Sequence, residues 1–155
     1  MQQRCIWIRT AAVAMLMLAL VSTGQDQPPW YGTWSLNLSE SQPARYKRVT
    51  SRIEPWRDGV KVSYDMVGIR GGVTHWEWLG KFDGKDYPMQ GVDTVLSNAY
   101  RKVDERSYEI VVKLDGAVVA TSLVTVSADG KTLQVATEER VAGQVRKTTA
   151  RYERT

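Results

Sequence analysis

The sequence predicts an all-β fold, an antiparallel up-and-down barrel of about nine strands. Three observations lead there. Turn dipeptides recur at close spacing: Asp58-Gly59, Asp83-Gly84, Asp115-Gly116 and Asp129-Gly130, with Gly71-Gly72 and Ala142-Gly143 as weaker signals. Asp-Gly supplies the positive φ angles that tight hairpin turns need. Between the turns apolar and polar residues alternate, which turns one face of a strand to a core and the other to water. Beyond the N-terminal apolar run, no window of about eleven residues has helical periodicity.

The first element is an address. Arg4 and Arg9 flank the start, an apolar run follows from Ala11 to Val21, and the small residues Ser22, Thr23 and Gly24 close it. That is the basic, apolar and small-residue order of a secretory signal peptide. The run has about half the ~20 residues of a spanning helix, so a retained anchor is the lesser reading. Cleavage is expected between Ser22 and Gln25. The one cysteine, Cys5, precedes the run, so no thiol stands at its exit for lipid attachment. Residues 1–24 therefore read as signal peptide, 25–29 as a flexible lead-in, and 30–155 as one domain of a periplasmic or secreted protein. Removing the leader takes away Arg4 and Arg9 and leaves 19 basic against 17 acidic residues. Such a balance makes no case for nucleic acid.

The strands follow in order. Residues 31–38 alternate Trp34, Leu36 and Leu38 with Thr33, Ser35 and Asn37; residues 60–67 alternate Val60, Val62, Tyr64 and Met66 with Lys61, Ser63 and Asp65. The others are expected at 48–54, 74–82, 94–103, 107–114, 117–127, 132–140 and 144–153. Short links imply a meander, and a twisted meander of this length must close or leave two sticky edges. A two-sheet sandwich is the runner-up. Residues 39–47 form a long polar link, either a lid over a barrel mouth or an ordinary surface loop.

Gly32-Thr33-Trp34-Ser35-Leu36-Asn37, Asp83-Gly84-Lys85-Asp86-Tyr87-Pro88 and Ser127-Ala128-Asp129-Gly130-Lys131-Thr132-Leu133 occur in that order. The sequence thereby resembles small exported bacterial lipocalin-like proteins, over nearly the whole chain after the leader. The resemblance implies a β-barrel with an interior site for a small apolar molecule. It implies that Trp34 closes one barrel end beneath an arginine from a late strand, with Arg146 or Arg151 as candidates for that cap or for an anion contact. The T-D-Y motif of lipocalins is absent, and Arg151-Tyr152 are adjacent where fatty-acid-binding relatives carry R-x-Y.

Chemistry-bearing groups are sparse. His75 is the only histidine. Alternation sets it with Glu77 and Lys81, opposite Trp76, Trp78 and Phe82, so it points to water, where a shielded catalytic base does not belong. No second histidine and no sulfur ligand completes a metal site with it. Asp83 and Asp86 flank a turn, and turn aspartates hold backbone geometry. Gly68-Ile69-Arg70-Gly71-Gly72 opens no helix, so it is no phosphate cradle.

Residues 45–57 and 140–155 each carry a local charge of +4. In a closed meander both flank the first strand, which suggests an anionic head group or an anionic membrane surface as partner; solvated outer faces are the plainer reading. The reading is a barrel that binds a small apolar or amphipathic molecule, without catalysis and without a cofactor. Its expected interior residues are Trp34, Tyr64, Trp76, Trp78, Phe82, Tyr100 and Tyr108. A filled barrel serving as an envelope or protein-interaction module is one alternative. An enzyme with Asp65 or Glu139 facing inward is another. The ligand and the oligomeric state stay open.

Overall fold

A computed structural model describes residues 27–41 and 46–155. The expected signal peptide and part of the 39–47 link lie outside those residues. Ten antiparallel strands close into one barrel: β1 (Gly32–Leu36), β2 (Tyr46–Trp56), β3 (Gly59–Gly68), β4 (Val73–Gly80), β5 (Asp83–Gln90), β6 (Leu96–Lys102), β7 (Ser107–Leu114), β8 (Ala117–Val126), β9 (Thr132–Val141) and β10 (Gln144–Arg154). Each strand lies beside the next, and β10 returns to β1 through Trp34↔Arg154, Ser35↔Glu153 and Leu36↔Tyr152. Closure gives every strand a neighbour on both sides, and there is one sheet, not the two of a sandwich.

The additional strand is β5. Asp83-Gly84 reads as a turn, yet residues 83–90 run as a strand. Asp83 still behaves as a turn aspartate: its carboxylate accepts hydrogen bonds from the Lys85 N–H at 3.0 Å and the Tyr87 hydroxyl at 2.9 Å. The register slips between Asp83 and Asp86. Pro88 offers no N–H to a ladder, and β5 meets β4 only at Glu77↔Gln90 and Trp78↔Met89. Local turn chemistry is thus preserved inside an irregular, weakly laddered strand.

One barrel end is filled by aromatic side chains. Trp30, Trp34, Trp78, Tyr100 and Tyr108 are buried there. Trp78 stacks on Tyr100 with ring centroids 3.8 Å apart. Phe82 sits edge-on to Tyr108 at 5.1 Å and to Tyr100 at 5.7 Å. Edge-to-face and offset contacts suit the ring quadrupoles. Trp30 belongs to this cluster, 5.2 Å from Tyr108, and its carbonyl accepts the Trp34 indole N–H at 2.9 Å.

An arginine covers Trp34, and it is Arg154. Its guanidinium carbon lies 4.2 Å from the Trp34 ring centroid. Arg146 and Arg151, expected in this role, are engaged elsewhere: Arg146 pairs with Glu139 at 2.5 Å and Arg151 with Glu40 at 2.9 Å. The register is the reason, since Arg154 stands directly across from Trp34. The guanidinium also donates to three carbonyls, of Gly130 at 2.7 Å, Tyr31 at 2.8 Å and Pro29 at 2.5 Å. Gly32 makes room for it. With φ at +140°, Gly32 has Arg154 Nη1 where any Cβ would stand. The glycine and the tryptophan of Gly32-Thr33-Trp34 therefore serve one contact.

Candidate functional site

The interior is hollow at the other end. On β1 and β3 the residues after the packed end, Leu36 and Met66, turn inward; on β4 and β6 the residues before it, Trp76 and Leu96, do the same. Together they bound a cavity of about 350 Å³. That is at the lower end of the usual ligand-site range of roughly 300–1,000 Å³. Tyr64, Tyr100 and Tyr152 bring phenols to its wall, and Asn98, Ser41 and Ser122 bring smaller polar groups. None of the described residues lining it carries a charge. A void of about 60 Å³ lies deeper, between Trp34, Tyr108 and the shared residues Tyr64 and Tyr152.

Polar groups in this wall are unevenly satisfied. Ser41 Oγ accepts the Arg151 N–H at 3.0 Å, tying the start of the 39–47 link to β10. Ser122 shares a hydrogen bond of 2.8 Å with Thr137. Asn98 is 4% exposed, and its carboxamide oxygen has no hydrogen-bond partner. Its backbone carbonyl is occupied, accepting the Trp78 indole N–H at 3.2 Å. Burial pushes the phenols of Tyr64, Tyr100, Tyr108 and Tyr152 above the usual tyrosine range, so all four are neutral hydroxyls at physiological pH.

Of the residues expected inside, Tyr64, Trp76 and Tyr100 line the cavity. Trp34 and Tyr108 reach only the deeper void. Trp78 and Phe82 lie in the packed aromatic cluster and line neither. Trp76 and Trp78 thus share a face but form no continuous wall, because Trp78 lies toward the filled end. Residues the sequence reading passed over include Met66, Met89, Asn98 and Tyr152. Alternation around Tyr64 and Tyr100 was the signal for Met66 and Asn98; Tyr152 is placed by its register opposite Leu36, and the misread β5 hid Met89.

The cluster around His75 is on the outside. Asp65 and His75 are partners across β3 and β4. His75 Nδ1 lies 2.7 Å from Asp65 and Nε2 3.3 Å from Glu77, and Lys61 reaches Glu77 at 2.6 Å. The Asp65 and then the Glu77 hydrogen bond raise the His75 pKa above 6.5. With its side chain 51% exposed, His75 has no enclosed space to serve. Asp65 is outside the barrel; Glu139 shares the inner face of β9 with Leu133 and Val135 but does not line the cavity and is held by Arg146. The basic strands β2 and β10 do flank β1, as the meander predicts.

No family model and no curated protein matches the chain. A solved structure described as "The Siderocalin Ex-FABP functions through dual ligand specificities" is similar at 15% identity and a TM-score of 0.37, covering 82% of this chain and 71% of that one. What the chain itself defines is a closed, up-and-down, all-β barrel, capped by tryptophan and arginine at one end and hollow at the other.

Proposed function

We propose that the protein is a non-catalytic carrier that holds a small apolar or amphipathic molecule inside the barrel. The observation that carries this reading is the cavity of about 350 Å³ with an apolar and phenolic wall. A filled interior would instead mark a structural or protein-interaction module. Binding apolar surface there contributes about 25 cal/mol per Å² before association costs. The expected setting is the periplasm or the exterior, after loss of the leader. An anionic surface would meet the basic strands β2 and β10 from outside the barrel, not through the cavity.

The test is a titration of delipidated protein with fatty acids, isoprenoids and aromatic compounds, read by tryptophan emission. Saturable changes that Trp76→Ala weakens, with the fold intact by circular dichroism, support the carrier. No saturable response from any class overturns it. Intact mass of exported protein tests the compartment: its first residue is expected between Thr23 and Gln27.

A further inference from the structure

The apolar side chains left outside the barrel gather at its hollow end. The β3–β4, β5–β6, β7–β8 and β9–β10 hairpins turn there, and each presents an aliphatic residue at or beside its turn: Val73, Val95, Val118 and Val145, all more than half exposed. Leu114 joins this rim to the interior. It stands across from Leu96 and follows Val112 on the same face, and both of those line the cavity. The filled end is different. Its turns carry Arg57-Asp58, Asp104-Glu105-Arg106 and Asp129-Gly130-Lys131, and the large apolar residues exposed there among the described ones are Trp56 and Val103. We propose that the hollow end docks on an anionic lipid bilayer, sinking these hairpin tips into the interface so that the cavity mouth opens on the acyl layer. The purpose of that contact, loading the carrier, rests on the reading above; the contact itself is tested apart from it.

Three features argue for a bilayer. Exposed apolar surface gathered in one place marks a contact, and its shape chooses the occupant. The aliphatics stand on separate convex tips around an opening, not along a groove. A second barrel or another folded partner would touch the tips and leave the gaps between them unfilled, whereas fluid acyl chains fill them. The tips are also stiff. Asp115-Gly116 and Ala142-Gly143 hold both residues at positive φ, as tight two-residue turns do, so little order is lost on docking. Ala142 shares the φ of Asp115, +49°, a conformation that favours Gly, Asn or Asp. That tip thus keeps an apolar residue against its backbone preference. Charge supplies the sign of the surface. At this end Lys47, Arg48, Arg70 and Arg140 outnumber Asp93 and Asp115, while Glu40, Asp86, Glu138 and Glu139 are each held by a basic partner. Basic residues beside an apolar contact are drawn to anionic head groups.

Flotation of the exported protein with vesicles tests the contact. Saturable binding is expected to phosphatidylcholine vesicles containing phosphatidylglycerol, and about fivefold weaker binding to phosphatidylcholine alone. A variant with Val73→Ser, Val95→Ser and Val145→Ser is expected to bind about tenfold more weakly, and Val103→Ser, the same change at the filled end, to stay within about twofold. Circular dichroism follows the fold; Val95→Ser alone, outside the strands, serves if the triple variant does not fold, with a loss of about threefold expected. Trp56, with Arg57 and Lys61 at 5.8 Å and 5.6 Å from its ring, is the rival anchor. No binding, equal binding to both vesicles, binding that the rim variants leave unchanged, or loss on Trp56→Ala overturns the inference. So does a solution dimer that the rim variants dissolve while vesicles are ignored, which would give the rim to a second copy. All of these leave the carrier reading to the ligand titration, and failure of that titration beside rim-dependent vesicle binding removes the carrier and leaves the docking surface standing.

Discussion

Arg154 lies over Trp34 at 4.2 Å while donating to the carbonyls of Gly130, Tyr31 and Pro29. One side chain thus joins the last strand, the β8–β9 turn and the segment leading into β1. A cation over an indole is worth on the order of 0.5–2 kcal/mol, and loss of a buried tryptophan on truncation about 3–5 kcal/mol. Trp34→Ala is expected to unfold the domain or bring it close to unfolding at ambient temperature. Arg154→Met is expected to cost about 1–2 kcal/mol, because its hydrogen bonds are exposed to water. Chemical denaturation measures both, and a double-mutant cycle with Trp34→Phe should show coupling.

Gly32→Ala should have a similar effect by another route. It places a methyl where Arg154 Nη1 stands, on backbone in the left-handed half of φ space. The expected loss is about 1–2 kcal/mol in denaturation. In the Arg154→Met background the steric part should largely vanish, leaving the backbone strain.

At Gly80 the obstacle is purely steric. A Cβ there would stand 2.5 Å and 2.8 Å from two atoms of the Trp78 ring and 2.8 Å from Tyr87. Trp78 is fully buried and stacked, so it has nowhere to go. Gly80→Ala is expected to cost about 1–3 kcal/mol and to change tryptophan emission.

His75 supplies a pH signature. Its folded-state pKa lies above 6.5 through Asp65 and then Glu77. The stabilisation is complete below the unfolded value of about 6.5 and is lost as pH rises through the folded one. Thermal midpoints of the protein and of His75→Gln should therefore converge as pH rises above about 6.5. Ring-proton NMR titration gives the raised pKa directly.

The buried phenols set the alkaline limit. Tyr64, Tyr100, Tyr108 and Tyr152 have folded-state pKa values above that of free tyrosine, so ionisation favours the unfolded chain. Their stabilisation is present below about pH 10 and is lost above it. Absorbance at the phenolate band should show these four ionising together with cooperative unfolding, not as independent groups.

The barrel was legible because alternation and Asp-Gly turns are local signals that tertiary structure did not override. β5 escaped because Asp83 makes turn-type hydrogen bonds within a strand and Pro88 looks like a breaker. The cap shows the other limit. Gly32-Thr33-Trp34 marks a barrel end, but choosing among Arg146, Arg151 and Arg154 needs the register between β1 and β10. Periodicity likewise places Tyr64, Trp76 and Trp78 on inner faces without saying how deep each lies. Depth decides that Trp76 borders the cavity while Trp78 is packed. Asn98 shares the inner face of Tyr100 by alternation, but an amide gives no sign by itself that it is buried.

The pairing of β1 with β10 has a consequence for how the chain is made. Tyr31 waits for a guanidinium 123 residues further along. A chain emerging from its N-terminus can form the hairpins from β2 onward one after another, yet β1 keeps one side bare until the final strand arrives. Joining ends so distant makes this the slow, entropically costly step. Until it is taken, Trp34 lacks its cover and the sheet has two open edges able to pair with another molecule. A stop codon only a few residues early, removing Tyr152 to Thr155, would delete about 3% of the chain and yet hold every molecule at that open, aggregation-prone stage.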